Sequence, residues 1–401
     1  MGPGDRDSRP PFAERMPAAE SFDFSHESLD REFPVRRNLV YFNHAAVAPL
    51  PARVAGAMTA HVEDVRERGA AGWRDWYGGT EAVREKAARF LGARTEEIAF
   101  LPNTSWGINL VAQSFPWAAG DNVVSDDMEF PSNAYPWHAL AARGVECRVT
   151  KSRDGRITAD DIAARIDART RIVAVSWVAF HNGWVYPLSD IGGLCRERGI
   201  LFVVDGIQGL GVLPADVERD RIDVLVADGH KWLYGPEGGA IFYVREGARD
   251  RVPASATGWW NNKSSASYLD YRFEPYEGAR RYEPGTLPTD HIVGIGAGID
   301  LLSEMGREAV RDRVRAIVEA LRLGLVARGW RIATPEPIGA GILAATHPSL
   351  PPRAVAKALE ERGVIVAPRE GFVRFSPHAG NDLSQVERAL AEIDALGSSV
   401  A

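Results

Sequence analysis

The chain has 401 residues, 45% hydrophobic and 25% charged, with a formal net charge of -7. That length permits one large domain or two with a sizeable core. The acidic balance argues against nucleic acid or an anionic membrane as partner. Two cysteines, Cys147 and Cys195, are too few for a disulfide framework and suggest a reducing compartment, the cytoplasm.

In chain order, residues 1–27 open with "MGPGDRDSRPPFAERMPAAES", polar and proline-containing. The stretch has no apolar core of a secretory signal, so a flexible tail is expected. Nowhere does an apolar run reach the roughly 18 residues of a membrane helix. From Glu97 to Val244, short apolar runs alternate with longer mixed segments. "IAFL" (98–101), "NVVS" (122–125), "ECRVT" (146–150), "RIVAVSWV" (171–178), "ILFVVD" (200–205), "DVLVAD" (223–228) and "AIFYV" (240–244) read as strands. Several of them are apolar without alternation, as strands buried on both faces are. Helical patterns such as "SWGINLVAQSF" and "PLSDIGGLCRERG" lie between them. The pattern predicts an α/β fold with a mostly parallel seven-stranded sheet covered by helices on both faces.

"YRFEPYEGARRYEPGTLP" then reads as loop, and a long helix follows from about Ile292 through "LLSEMGREAVRDRVRAIVEALRLGLVARG". A smaller α+β unit closes the chain. The expected division is a tail (1–27), a large domain that includes the N-terminal segment (28–290) and a small C-terminal domain (291–401).

Ligands of such sheets sit at the carboxyl ends of the strands, and the unusual residues fall there. "FLPNTSWGIN" presents Thr104 and Ser105 at a helix opening, where they either cap the helix or hold an anion. "FVVDGIQGLG" ends an apolar strand with Asp205, followed by Gln208. A buried carboxylate there needs a cationic partner, unless it serves as a cap. "VADGHKWLYGPEGG" places Lys231 in a glycine-punctuated apolar segment, either solvated or held for chemistry. "VRFSPH" puts Arg374 on a late strand. Read together, an anion cradle, an aspartate, an enclosed lysine and a remote arginine are what pyridoxal 5′-phosphate (PLP) and an amino-acid substrate require. No His/Cys/carboxylate spacing suggests a metal, and the glycine-rich loops match neither a dinucleotide nor a P-loop pattern.

From "YFNHAAVAPLP" at 41 to "RFSPHAGN" at 374, the chain resembles the class V aminotransferase family of fold-type I PLP enzymes, in its isopenicillin N epimerase-like and C–S lyase-like branch. The resemblance implies that Lys231 forms the Schiff base, Asp205 pairs with the pyridine nitrogen and Gln208 meets the ring hydroxyl. It places Thr104, Ser105 and His230 around the phosphate and Phe130 on the ring. His44 and Arg374 are expected at the substrate, Arg374 on its carboxylate. Thr286 of "YEPGT" is expected to reach the phosphate of a second subunit, which implies a homodimer with shared active sites. His181, His378 and the Trp259/Trp260 pair are looser candidates.

The chain departs from the cysteine desulfurases of that family in three places. Phe130 stands where they carry a histidine, and "GVIVAPREGFVRF" lacks their cysteine. Asp228 replaces a serine near the phosphate, so it should turn away or find a cation. The expected function is a PLP-dependent lyase or transaminase acting at Cα or Cβ. β-Elimination from an S-substituted cysteine leads, with transamination, racemisation or a decarboxylating variant behind it. Desulfuration through a persulfide is read as excluded. A non-catalytic module keeping the fold is disfavoured because Lys231, Asp205 and Arg374 are all present.

Overall fold

The computed structural model describes residues 22–263 and 268–398. Most of the expected tail, residues 1–21, lies outside the described residues. Phe22 is already buried and meets Phe24 with ring centroids 4.9 Å apart, so the packed chain begins ahead of the expected bound at residue 27.

Helix α1 (His26–Glu32) starts at Ser25, whose side chain accepts from the Ser28 amide. The two-residue strand β1 (Val40–Tyr41) leads to α2 (Ala52–Arg68) and α3 (Trp73–Leu91). On α3 the buried residues recur at Thr80, Val83, Arg84, Ala87, Ala88 and Leu91, one face of a 3.6-residue repeat.

The large sheet follows: β2 (Ile98–Leu101), helix α4 (Thr104–Ser114), β3 (Asn122–Asp126), the short α5 (Tyr135–His138), β4 (Glu146–Thr150), α6 (Ala159–Ala163), β5 (Thr170–Ser176), α7 (Leu188–Glu197), β6 (Leu201–Asp205), β7 (Val224–Asp228) and β8 (Ala240–Val244). Its spatial order is β2-β8-β7-β6-β5-β3-β4. Strands β7, β6, β5, β3 and β4 run parallel, while β8 and β2 are antiparallel additions. This is the expected mostly parallel, seven-stranded α/β sheet. Every residue of β6, β7 and β8 is buried, while the edge strand β4 is mostly half-buried. Gly107 lets α4 lie directly on the sheet, because a Cβ there would stand 2.6 Å from a Val226 methyl.

Beyond the sheet the expected single helix is two, α8 (Thr289–Met305) and α9 (Arg307–Ala327). Gly306, at φ +81, breaks the run. The C-terminal part comprises β9 (Arg331–Ile332), β10 (Leu343–Thr346), α10 (Pro352–Glu360), β11 (Val364–Ile365), β12 (Ala367–Arg369), β13 (Phe372–Phe375) and α11 (Leu383–Ser398). Strands β12, β13, β10 and β9 form an antiparallel sheet, and β11 pairs in parallel with β1. The N-terminal segment, grouped with the large domain in the sequence reading, is therefore stitched to the C-terminal part. Arg36 strengthens the seam through the Gly380 carbonyl at 2.6 Å and Asp382 at 2.5 Å.

Candidate active site

The carboxyl ends of β6 and β7 open into a cavity of about 320 Å³. Strand β6 ends on Asp205, which is 2% exposed. Its Oδ1 accepts from the Ile207 amide at 3.0 Å. Among the described residues no cation lies within ion-pair distance of Asp205. Burial pushes its pKa up to about 6, against the pull of Lys231.

Lys231 follows β7 and extends its amine into the same cavity, 5.7 Å from the centre of the Phe130 ring. Burial lowers its pKa to about 8, with Arg374 and Arg369 pushing the same way and Asp205 and Asp228 opposing. Phe130 is 42% exposed at the cavity wall and meets Phe180 edge-on at 5.2 Å.

The opposite wall is the start of α4. Asn103 caps the helix by accepting from the Trp106 amide at 2.8 Å, which leaves the hydroxyls that follow it to other partners. Thr104 Oγ1 accepts from the Asp228 amide at 3.0 Å, tying the helix to the end of β7. Ser105 Oγ lies 2.7 Å from Ser132 Oγ. Asp228 Oδ1 lies 2.8 Å from His230 Nδ1, without hydrogen-bond alignment. Gln208 donates to the Ala45 carbonyl at 3.0 Å and accepts from the Trp232 indole at 2.7 Å. Gly211, at φ +108, permits this packing, since a Cβ would stand 2.2 Å from the Trp232 carbonyl.

Arg374 closes the cavity from β13. It is 2% exposed, and its Nη1 donates to the Phe180 carbonyl at 2.7 Å. Its Nε and Nη2 are buried without a partner, and burial together with Arg369 lowers its pKa to about 9.

The fold thus gathers Thr104, Ser105, Phe130, Asp205, Gln208, His230, Lys231 and Arg374 around one cavity. Two candidates lie elsewhere. His44 is buried behind the wall formed by Ala45 and Ala46, its Nδ1 3.1 Å from the Ser376 carbonyl. Enclosure among Trp232, Tyr234 and His378 lowers its pKa to about 4. Thr286 is exposed on a separate apolar groove with Val62, Val65 and Trp73. Its segment is held by Glu283, which pairs with the buried Arg84 at 2.6 Å and accepts from the Phe100 amide at 2.8 Å. Of the looser candidates, His378 is fully buried, where Tyr234 Oη meets its Nδ1. Trp260 packs edge-on against Tyr77 at 4.7 Å.

Sequence reasoning missed two residues. Arg369, beside a glycine turn, lines the cavity. Glu129 lies behind Phe130 and accepts from the Ser176 amide at 2.5 Å, Ser176 Oγ at 2.6 Å and Asn133 Nδ2 at 2.9 Å. Burial, then the charges of Asp126 and Asp205, raise its pKa well above the ordinary glutamate value.

A family model described as aminotransferase class-V matches residues 40–371. A probable cysteine desulfurase of Methanothermobacter thermautotrophicus is 30% identical over 84% of this chain and 86% of its own. The apo cysteine desulfurase of Thermococcus onnurineus superposes with a TM-score of 0.86 at 26% identity, over 92% of this chain and 98% of that one. The cystine C–S lyase C-DES, in complex with its reaction product cysteine persulfide, superposes with a TM-score of 0.84 at 25% identity, over 90% and 98%. A variant of that lyase holds glycine covalently linked to its PLP cofactor.

These likenesses correct the functional expectation. Excluding desulfuration rested on Phe130 and on one loop without a thiol. Chains named cysteine desulfurases match this one nearly end to end. Two local positions do not set a reaction class, and a persulfide need not form on a protein thiol, as the free cysteine persulfide product of C-DES illustrates.

Proposed function

The chain belongs to the class V aminotransferase family and is a PLP-dependent enzyme, and from that premise we propose that it removes sulfur from cysteine. The observation that carries this reading is the near end-to-end likeness to a probable cysteine desulfurase. The cavity's chemistry supports it.

The residues fit the cofactor. Asp205 is a buried carboxylate without a cation, and a protonated pyridine nitrogen is the partner it lacks. Thr104, Ser105 and the first amides of α4 suit a phosphate. Gln208 suits the ring hydroxyl, and Phe130 offers a ring face. When bound, the cofactor supplies a cationic ring that draws electrons from the substrate's Cα.

The remaining work falls to this chain's own side chains. Arg374 takes the substrate carboxylate on its two unpartnered nitrogens, while the Phe180 carbonyl fixes the plane of the guanidinium. Lys231, lowered to about 8, is uncharged in a large fraction of molecules at mildly alkaline pH and can take the Cα proton. Phe130 cannot exchange protons, so this task stays with the lysine. Neither Cys147 nor Cys195 lines the cavity, and burial raises both thiols. The acceptor is therefore an incoming thiol. Its sulfur bonds to the substrate sulfur, the carbon–sulfur bond breaks, and the thiol proton ends on the β carbon, giving alanine and a persulfide.

The active form is a homodimer in this reading. Val62 and Trp73, 53% and 39% exposed, flank Thr286 on the apolar groove that a second copy would cover, bringing Thr286 to that copy's phosphate. Two free cysteines suit a reducing compartment such as the cytoplasm. Among the described residues no helix is long and apolar enough to cross a membrane.

The test is a product assay. Holoenzyme given cysteine and excess dithiothreitol should release alanine and sulfide in equal amounts. Pyruvate in place of alanine, or no reaction, would overturn the proposal.

A further inference from the structure

The turn that carries Lys231 contains a strained residue. The Tyr234 amide donates back to the Lys231 carbonyl at 3.3 Å, and Tyr234 sits at φ +58, the left-handed region that a bulky side chain seldom enters. Such a conformation persists only where the surroundings over-determine it.

Those surroundings centre on one imidazole. His378, Tyr234 and Trp232 are all fully buried. Two donors, the Tyr234 hydroxyl and the Ala379 amide at 2.6 Å, converge on His378 Nδ1. Nδ1 is therefore the unprotonated nitrogen, and Nε2 carries the hydrogen that it donates to the Trp232 carbonyl at 3.1 Å. Burial, then the neighbouring His44, hold the pKa of His378 well below the ordinary histidine value, so the ring stays neutral and keeps this tautomer. The imidazole itself is anchored. Its backbone amide donates to Asn381 Oδ1 at 2.8 Å, and Arg313 donates to the Ala379 carbonyl at 2.8 Å.

One side chain thus grips the residue after Lys231 by its carbonyl and the closing residue of the turn by its hydroxyl. Packing alone would not require both ring nitrogens to be spent on that turn. His378 also stands on the segment leaving β13, just past Arg374, so it ties the turn of the lysine to the strand that presents the arginine.

We propose that His378 is a positioning residue for Lys231, a two-armed brace that holds the strained turn and so aims the amine into the cavity. The proposal rests on Lys231 being the amine held for the cofactor, the reading given above, and names the residue that places it.

The test measures how well placed the lysine is. Holoenzyme is titrated with methylamine, which competes with Lys231 for the cofactor and has no carboxylate for Arg374. Borohydride then fixes the cofactor to whichever amine holds it, and mass spectrometry gives the share on Lys231. His378→Asn keeps an acceptor for Tyr234 and loses the donor to Trp232, while Tyr234→Phe keeps the ring and loses the other arm. Each should lower the methylamine concentration that displaces half of the cofactor roughly tenfold or more, because effective concentration depends steeply on placement. Should His378→Asn fail to fold, Tyr234→Phe carries the same test. A histidine that only supports the fold would lower the melting point of the variants and leave that concentration at the wild-type value, which would overturn this proposal alone. A wild type whose cofactor is fixed to a different lysine would overturn the assignment of Lys231 and this proposal with it.

Discussion

The Trp232 indole donates to Gln208 Oε1 at 2.7 Å while Gln208 Nε2 donates to the Ala45 carbonyl at 3.0 Å. Both ends of one amide are thereby assigned, and a flip would set oxygen against oxygen. The remaining Nε2–H is the one free for the cofactor. Gln208→Glu replaces the donor facing Ala45 with an acceptor. The cost should be about 1–3 kcal/mol, that of a buried group left unsatisfied. Thermal denaturation should show a melting point lowered by several degrees; an unchanged Tm would mean the amide is not held as described.

Arg374 is desolvated and only one of its nitrogens is partnered. Arg374→Gln removes a cation that the free protein does not need, so Tm should hold or rise. In turnover the same change should cost about 2–5 kcal/mol in kcat/KM, roughly thirtyfold or more, mostly through KM. Arg374→Lys keeps the charge and loses the fork, so it should not restore activity. Steady-state kinetics of the three proteins decide the matter. A lysine variant with wild-type KM would remove the bidentate role.

Glu129 and Asp126 are buried together, and burial raises both, Asp126 to about 6. A carboxyl whose folded value lies above its unfolded value binds more protons folded than unfolded. Its share of stability is full below the unfolded value and is lost as pH rises through the folded one. Wild-type stability should therefore decline as pH rises above the ordinary glutamate value, by a share assigned to Glu129. Glu129→Gln keeps the shape without the titration. Its Tm should gain on the wild type steadily across that range; a constant difference between the two would mean that Glu129 is ionised in the folded protein.

Much of this was readable in the chain. Several of the seven strands are apolar runs without alternation, and the structure places "IAFL" and "AIFYV" where they were expected, at Ile98–Leu101 and Ala240–Val244. Since β6 and β7 run parallel, the residues after them had to share one rim, which brought Asp205 and Lys231 together. Other features had no local signal. The pairing of Val40 with Val364 involves two-residue strands, too short to show a period, and contacts more than 300 residues apart in the chain. Gly306 gives no sign in the sequence of the positive φ that ends α8. Arg369 sat in "APREGF", where a charged residue beside a glycine turn reads as solvated. His44 was placed at the substrate by resemblance, yet its ring turns away toward the Ser376 carbonyl, while the backbone beside it forms the wall.

The central claim is that Lys231, alone among the lysines, is the amine held for the cofactor. Reducing the purified protein with borohydride fixes the cofactor to whichever lysine carries it, and mass spectrometry of the peptides locates that residue. The account predicts a pyridoxyl group on Lys231 in the wild type and none in Lys231→Ala. A pyridoxyl group on a different lysine, or on none, would contradict it.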